Sequence, residues 1–298
     1  MTEHLNQAAE GPDVQSIPGR REPHSSAGLP GPDKGGIIFE VTGIISTGEL
    51  QGGMWLARSS SPETVDGGAS GEEGGVLLER LAAAGPLLAV VAHPDDESFG
   101  LGAVLAALGA AGGEVRVLCF THGEASTLGA REDLGRLREE ELQAAAVRLG
   151  LVGVSLYDFP DGGLATLEDK ELDDVLEDHV AGVASLVAFE PLGVTGHPDH
   201  VAATSAAWRA ARRHGLAVLE WGVAPAVAEQ LNAELGTAFS PLEGPGSVEL
   251  TVDRAVQRQA ISCHASQAGD NVVLQRRLAL SVDRERVRLR EPAEPRRS

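Results

Sequence analysis

From about residue 76, the chain alternates between short apolar runs and longer segments in which apolar positions recur at helical spacing. Continuous apolar runs of this length predict strands that are buried on both faces. The predicted strands are Leu87–Ala92, Val115–Phe120, Val154–Phe159, Ser185–Phe189 and Leu216–Trp221. The helices predicted between them are Phe99–Ala111, Arg131–Leu149, Asp169–Val183 and Asp199–His214. This alternation predicts an α/β, Rossmann-like fold, in which helices cover both faces of a mainly parallel sheet.

The first 80 residues follow a different pattern. Residues 1–35 are rich in Gly, Pro, Ser and acidic residues, which predicts a partly disordered extension. The segment Gly36–Ala57 contains the strand-like piece Ile37–Val41, which predicts a small hairpin or an accessory strand. Residues 58–75 return to Ser, Gly and acidic residues and are interpreted as a linker. The sequence thus predicts a low-complexity extension over residues 1–80 and a folded domain over residues 81–298.

Charge narrows the set of partners. The 24 basic and 44 acidic residues give a net charge of −20, which argues against nucleic acid and anionic membranes as partners. Only Cys119 and Cys263 are cysteines, so no disulfide framework is predicted. No apolar run approaches the ~20 residues of a spanning helix, and the first ten residues lack a signal-peptide core. These features predict a cytoplasmic protein without a membrane span, and a homo-oligomer is compatible with them.

A polar cluster follows the first predicted strand. The string Ala92-His93-Pro94-Asp95-Asp96-Glu97 stands where ligands bind in open α/β sheets, at the carboxyl end of a strand. His93 and Asp96 can both face one ion, and zinc prefers imidazole and carboxylate ligands where no thiolate is offered. Asp95 can then act as a base, and Glu97 supports the site or begins the next helix. The alternative is a capped helix start with a solvated acidic loop.

A second cluster, His197-Pro198-Asp199-His200, also follows an apolar run and also begins a predicted helix. One of its two histidines can complete a set of two imidazoles and one carboxylate, while the other faces a substrate. The spacing alone does not decide which histidine binds the metal. Asp199 can orient His197 through a hydrogen bond. The alternative is that Asp199 caps the helix and that both histidines are solvated.

The two strings resemble the hallmarks of the LmbE-like, or PIG-L, family of zinc N-deacetylases, which are A-H-P-D-D-E after the first strand and H-P-D-H later. Both occur here unbroken, and the resemblance extends from about Leu87 to Gln267. It implies that residues 81–298 form a catalytic domain that uses Zn²⁺. It also implies these site residues: His93, Asp96 and His200 as zinc ligands, Asp95 as the general base, and His197 as the group that stabilises the oxyanion or protonates the leaving amine.

The resemblance implies supporting or substrate-binding roles for further residues. Glu124, just after the second strand, corresponds to a position that lines the sugar pocket. Arg138 corresponds to an arginine that holds a substrate oxygen, although pairing with Glu141 on a solvated helix face is an alternative. His264 lies in a segment that resembles the family's late His-x-Ser-Gln sequence, which places it near the substrate; the alternative is a surface histidine.

Two positions depart from the family pattern. His122 stands where Arg or Asn is common, and Thr195 stands where relatives of the mycothiol branch place a Tyr. The side chain of Thr195 is too short to bind an oxyanion as that Tyr does, which weakens an assignment to this branch.

The function implied is a zinc-dependent hydrolase that removes an acetyl group from the amide nitrogen of an N-acetylglucosaminyl-type substrate. One alternative is an amidase of the same family that acts on a thiol-conjugate amide. Alternatives from other classes are a divalent-metal phosphohydrolase and a non-catalytic binding protein. Histidines in both clusters argue against magnesium, which prefers oxygen ligands. The predicted partner is a small amino sugar or amide, and its identity stays open because specificity lies in loops.

Overall fold

The computed structural model describes residues 36–41 and 68–291. The strands are β1 (Gly36–Glu40), β2 (Leu87–Val91), β3 (Val115–Thr121), β4 (Gly153–Phe159), β5 (Ser185–Phe189), β6 (Ala217–Gly222), β7 (Ser247–Thr251) and β8 (Arg284–Arg290). The helices are α1 (Gly68–Ala84), α2 (Asp96–Phe99), α3 (Gly102–Ala110), α4 (Leu134–Leu149), α5 (Asp169–Glu177), α6 (Gly193–Gly196), α7 (Pro198–His214), α8 (Pro225–Leu235), α9 (Ala255–Cys263), α10 (Ala265–Ala268) and α11 (Val272–Ser281). A short 3₁₀ turn covers Leu164–Thr166.

The described strands form a single sheet in the order β1-β4-β3-β2-β5-β6-β8-β7. The five strands from β4 to β6 are parallel, whereas β1 pairs antiparallel with β4, and β8 pairs antiparallel with both β6 and β7. This arrangement confirms the predicted mainly parallel, Rossmann-like α/β fold. The order reverses at β2, since the chain proceeds from β2 through β3 to β4 on one side and continues with β5 and β6 on the other. Such a switch point opens a crevice for a ligand at the carboxyl ends of the strands.

The alternation of side chains along β2 explains the two cores of the domain. Leu87, Ala89 and Val91 pack into one apolar cluster, while Leu88 and Val90 pack into the other. The first cluster includes residues of α3, α4 and α9, and the second includes residues of α5 and α7. Because both faces of the strand are covered, its sequence is continuously apolar rather than alternating.

The N-terminal predictions have mixed outcomes. The strand-like piece forms the accessory strand β1, one of the two alternatives considered. The interpretation of residues 58–75 as a linker is wrong from Gly68 onward, because α1 begins there. Leu78 and Leu81 of this helix are buried in the core, and this packing outweighs the poor helix propensity of the glycines. The division at residue 80 remains a prediction, although α1 crosses it. The predicted disorder of residues 1–35 lies outside the described residues.

Three predicted helices are shorter than expected. The helix predicted to begin at Arg131 begins at Leu134. The segment Phe99–Ala111 is divided into α2 and α3 by Gly100 and Leu101. A Cβ atom at Gly100 would lie 2.6 Å from the Phe189 ring, so the close packing at this position requires glycine. The helix predicted to end at Val183 ends at Glu177, and the following turn carries Val183 into the core. No helix in the described part of the chain is long and apolar enough to cross a membrane.

Candidate metal centre and active site

The first polar cluster occupies the turn between β2 and α2, at the switch point of the sheet. Asp96 is the first residue of α2, and its Oδ2 accepts hydrogen bonds from the backbone amides of Ala92 (3.2 Å) and His93 (3.0 Å). These bonds fix the carboxylate beside the imidazole that precedes it. The strand end therefore holds both His93 and Asp96 in place, and both are less than one-tenth exposed.

The second cluster begins α7. His197 is the N-cap residue, and Pro198 occupies the first turn, where its missing N–H costs nothing. The Nδ1 atom of His200 lies 3.1 Å from the carbonyl oxygen of Gly193, which fixes the ring with Nε2 directed away from that carbonyl. As a result, Nε2 of His200 lies 3.2 Å from Nδ1 of His93 and 3.2 Å from Oδ1 of Asp96.

His93, Asp96 and His200 form a group that could hold a metal ion. The third distance of the group, from Nδ1 of His93 to Oδ2 of Asp96, is 3.6 Å. Tetrahedral zinc with bonds of about 2.0–2.1 Å separates its ligand atoms by about 3.3–3.4 Å, so the three atoms fit one face of such a site. The sequence left His197 and His200 open as ligands, and these distances favour His200. A second group, His93, His197 and Asp199, shares His93 with the first.

The other ring nitrogen of His93 faces carboxylates. Its Nε2 lies 3.0 Å from Oδ1 of Asp161 and 3.3 Å from Oδ2 of Asp199. Asp199 is fully buried, and its carboxylate accepts the amides of Gly162 (2.7 Å) and Leu164 (3.0 Å). Burial opposes protonation of His93, but its hydrogen bonds to these acids raise its pKa well above the ordinary value. A divalent cation would replace that proton.

The predicted hydrogen bond between Asp199 and His197 involves the backbone amide of Asp199 and not its carboxylate. The carboxylate of Asp199 contacts His93 and two loop amides, whereas His197 meets Asp199 through the backbone: the Asp199 amide donates to His197 Nδ1 over 3.3 Å. The loop after β4 brings the amide donors to this carboxylate, and no local sequence pattern predicts the position of that loop.

Asp95 lies beside the candidate metal group in a strained conformation. Its φ angle is 133°, a region that residues other than glycine rarely adopt. The surrounding bonds maintain it: its amide donates to Oε2 of Glu97 (2.9 Å), and its carbonyl accepts the amide of Ser98 (2.9 Å). Burial raises the pKa of Asp95 to about 6, against the opposing charge of Arg138. A carboxylate with this pKa is suited to accept a proton near neutral pH.

Arg138 reaches the site from α4 and is only 3% exposed. Its guanidinium lies 2.9 Å from Oδ2 of Asp95 and donates to the carbonyl oxygens of Gly123 (2.6 Å) and Pro94. The surface pairing with Glu141 is not what the structure shows, because Glu141 instead accepts from the amide (2.8 Å) and hydroxyl (2.7 Å) of Ser266. Arg138 thus lines the cavity while it holds the Asp95 carboxylate.

The other predicted contacts lie further from the cavity. His264 is fully buried, and its Nε2 lies 2.7 Å from Oε1 of Glu97, so it supports the α2 turn from behind instead of facing a substrate. The resemblance placed His264 near the substrate, whereas the structure places it behind the α2 turn and outside the cavity lining. Glu124 is exposed and accepts a hydrogen bond from the amide of Asp161 (3.1 Å). It therefore joins the loop that follows β3 to the loop that follows β4. His122 pairs with Asp158 at 2.8 Å.

A cavity of about 480 Å³ opens over the candidate metal group. His197 and Thr195 are exposed and contribute to its wall, beside the three candidate ligands. Asp161, which the sequence leaves open as either a site residue at the sheet edge or a turn residue, lines the cavity. Sequence reasoning missed Trp221 and Arg277, which also line it. Arg277 carries a weak signal, because it lies three residues after the buried Leu274 on the inner face of a helix.

These observations define an α/β protein with a Rossmann-like sheet and, at the switch point of that sheet, a His/Asp group that could hold a metal ion. Residues 88–211 match the PIG-L family, described as GlcNAc-PI de-N-acetylase. The chain is 30% identical over 240 residues to 1D-myo-inositol 2-acetamido-2-deoxy-alpha-D-glucopyranoside deacetylase of Salinispora arenicola, an alignment that covers 62% of this chain and 77% of that protein. The chain therefore belongs to the PIG-L family, as the sequence motifs predicted.

Other similarities are more limited in extent. The Mycobacterium avium protein of the same name is 36% identical over 143 residues, which cover 39% of this chain and 47% of that protein. This chain thus spans about half the length of that curated relative. A crystal structure of a deacetylase from the teicoplanin biosynthesis pathway has a TM-score of 0.55 at 20% identity, covering 70% of this chain and 100% of that one. This last similarity supports the fold.

Proposed function

We propose that this protein is a zinc-dependent hydrolase that removes the acetyl group from the amide nitrogen of a small N-acetylglucosaminyl-type substrate. The observation that carries the proposal is the triangle of His93, Asp96 and His200 beside Asp95, whose pKa of about 6 suits a base. The names of the two deacetylase relatives describe an acetamido sugar, which supports the same substrate class.

The donor set supports zinc as the metal. Two imidazole nitrogens and one carboxylate oxygen are typical of catalytic zinc with an open fourth position, whereas magnesium prefers oxygen ligands. This preference disfavours the phosphohydrolase alternative. When bound by His93, Asp96 and His200, zinc would supply a Lewis acid that polarises the amide carbonyl and makes a water molecule more acidic.

The protein's own groups would perform the proton transfers. Asp95 accepts the proton of the attacking water, and Arg138 keeps its carboxylate oriented at 2.9 Å. His197 stands exposed in the cavity wall, where it can stabilise the oxyanion or protonate the leaving amine. Burial and the neighbouring imidazoles of His200 and His93 lower the pKa of His197, so a proton that it holds is readily given up. The amine then departs with its proton, and acetate remains.

The proposal is tested by measuring acetate and amine release from N-acetylglucosaminides and thiol-conjugate amides with zinc-loaded protein. The Asp95→Asn variant is expected to retain zinc and to lose about 10²–10⁴-fold in kcat. The His200→Ala variant is expected to lose zinc as well. His214→Ala is the matched control, since His214 lies at the far end of the same helix and pairs with Glu177 at 2.7 Å.

Different outcomes would reject different parts of the proposal. Release of phosphate from phosphate esters, with none from any amide, would establish the phosphohydrolase alternative. Full activity in the Asp95→Asn variant would remove the proposed base. Release only from thiol-conjugate amides would favour the alternative function within the family, an amidase that acts on such amides. The cytoplasmic location and the oligomeric state remain predictions that these assays do not address.

A further inference from the structure

The cavity has two unlike sides, which correspond to the two sides of the switch point. Toward β3 and β4 it is lined by polar groups, including Asp161, Ser126 and Arg138. Toward β5, β6 and α11 the lining is mainly apolar, and consists of Phe189, Val194, Trp221, Phe239, Val273 and Leu274. Arg277 of α11 lies among these apolar residues. A charged side chain in such surroundings needs an explanation, because burial of a charge is costly unless it is paired.

The contacts of Arg277 within the described residues use only some of its hydrogen-bond donors. It is 4% exposed, donates to the carbonyl oxygen of Phe99, and lies 3.5 Å from Oε1 of Glu285. Its guanidinium also stacks 5.3 Å from the centre of the Trp221 ring. A guanidinium has five N–H donors, and within the described residues these contacts account for two of them.

Glu285 neutralises the charge of Arg277 only in part, because its carboxylate is shared with Arg254. Its carboxylate lies 2.5 Å from Nη1 of Arg254 and accepts the indole N–H of Trp221 over 2.8 Å. Arg254 is itself 5% exposed, so two buried guanidinium groups face one carboxylate. Burial lowers the pKa of Arg277, Glu285 raises it, and Arg254 lowers it, with a net decrease. Arginine nevertheless stays protonated, so the two guanidinium groups and their shared carboxylate carry one excess positive charge at the cavity wall.

We propose, on the basis of the proposed deacetylase function, that Arg277 binds an anionic group of the substrate, a phosphate or a carboxylate, while the scissile amide lies at the His/Asp group. The physical reason is that the cation is already desolvated in the folded protein. An anion placed against it gains a strong, charge-assisted interaction in apolar surroundings. The planar guanidinium can also present paired donors to either kind of oxyanion.

A purely structural role for Arg277 is the competing explanation. Its bond to the Phe99 carbonyl supports the end of α2, the helix that begins with Asp96. Loss of such support would weaken the binding of every ligand by a similar factor. Loss of an anion contact would weaken only ligands that carry the anion. The two explanations therefore differ in selectivity rather than in affinity alone.

The test is calorimetric titration of the zinc-loaded, full-length Asp95→Asn protein, a background chosen to prevent turnover. Three ligands are compared: N-acetylglucosamine, its 6-phosphate, and N-acetylmuramic acid, which carries a carboxylate. We expect at least one anionic ligand to bind about tenfold or more tightly than the neutral sugar, since a hydrogen bond to a charged group is stronger than one between neutral groups. Which anion binds identifies phosphate or carboxylate as the group recognised.

Arg277→Met is expected to reduce the affinity for the anionic ligand to that for the neutral sugar, and Arg277→Lys to retain part of the preference. Arg276→Met is the matched control, because it removes the same charge from the preceding residue. The side chain of Arg276 is 38% exposed and pairs with Glu234 at 2.6 Å. The control should keep the preference.

The proposal is overturned if the Asp95→Asn protein with Arg277 intact binds all three ligands equally. It is also overturned if Arg276→Met removes the preference, or if Arg277→Met weakens neutral and anionic ligands by the same factor. Acetate release by the protein without the Asp95 substitution is measured in parallel. If no acetamide is cleaved but the Arg277-dependent preference persists, the proposed function fails while the anion site stands.

Discussion

Gly123 offers a direct test of how Arg138 holds the proposed base. Gly123 has a φ angle of +65°, and a Cβ atom added there would lie 2.0 Å from Nη1 of Arg138. The guanidinium would have to move by more than about 1 Å, yet it is buried and bonded to Asp95 and two carbonyl groups. We expect Gly123→Ala to lose about 3–5 kcal/mol of stability, the range for a disrupted buried ion pair, and to lose kcat as Asp95 loses its partner.

The control separates backbone strain from displacement of Arg138. Gly150 has a nearly equal φ of +70°, but an added Cβ there would meet nothing within 4 Å. Gly150→Ala should therefore cost only the left-handed backbone penalty of about 1–2 kcal/mol and leave kcat unchanged. Urea unfolding of the two variants gives the difference, and deacetylation assays give kcat. Equal destabilisation in the two variants, with kcat retained in Gly123→Ala, would refute the reasoning.

Three further predictions concern stability. His179 is 5% exposed, and burial lowers its pKa from 6.5 to about 4. As the pH falls, the unfolded chain therefore binds a proton at this histidine before the folded protein does, and stability should fall by about 3 kcal/mol between pH 6.5 and pH 4. Denaturant unfolding across this range should show this loss, and the His179→Gln variant should lack it. Glu97→Gln should lose about 3 kcal/mol or more in the same measurement, because buried His264 then lacks its anionic partner; an unchanged midpoint would contradict this. Zinc at 100 times its Kd should stabilise the wild-type protein by about 3 kcal/mol in thermal unfolding, but not His200→Ala.

The elements near the sheet centre could be predicted from sequence because their pattern is local. Strands such as β5 (Ser185–Phe189) are short, continuous apolar runs, and the structure gives this one the predicted bounds. The ends of several helices could not be predicted in this way, because contacts with distant segments determine them. The glycine-rich start of α1 is helical only because Leu78 and Leu81 pack against the core. The requirement for glycine at position 100 depends on the position of the Phe189 ring, which lies on a distant strand.

The candidate ligands could be predicted because they lie in two short strings at strand ends, where parallel topology brings them together. Their supporting residues could not, since each is defined by a contact between remote segments. Arg138 on α4 pairs with Asp95 rather than with a neighbour on its own helix. His264 reaches Glu97 over 2.7 Å from a position 167 residues later in the chain. No local pattern encodes such pairs, although a charged residue on an otherwise apolar helix face indicates that a buried partner is required.

The supporting contacts also explain how the strained turn at Asp95 persists. Three buried acid–base pairs meet there: Asp95 with Arg138 of α4, Glu97 with His264 after α9, and His93 with Asp199 of α7. Buried pairs contribute little net stability, since desolvation offsets their attraction, but breaking one leaves an uncompensated charge. Any rearrangement of the turn would break at least one of them. The pairs therefore act mainly by excluding alternative conformations, which keeps the candidate ligands and the proposed base at fixed separations.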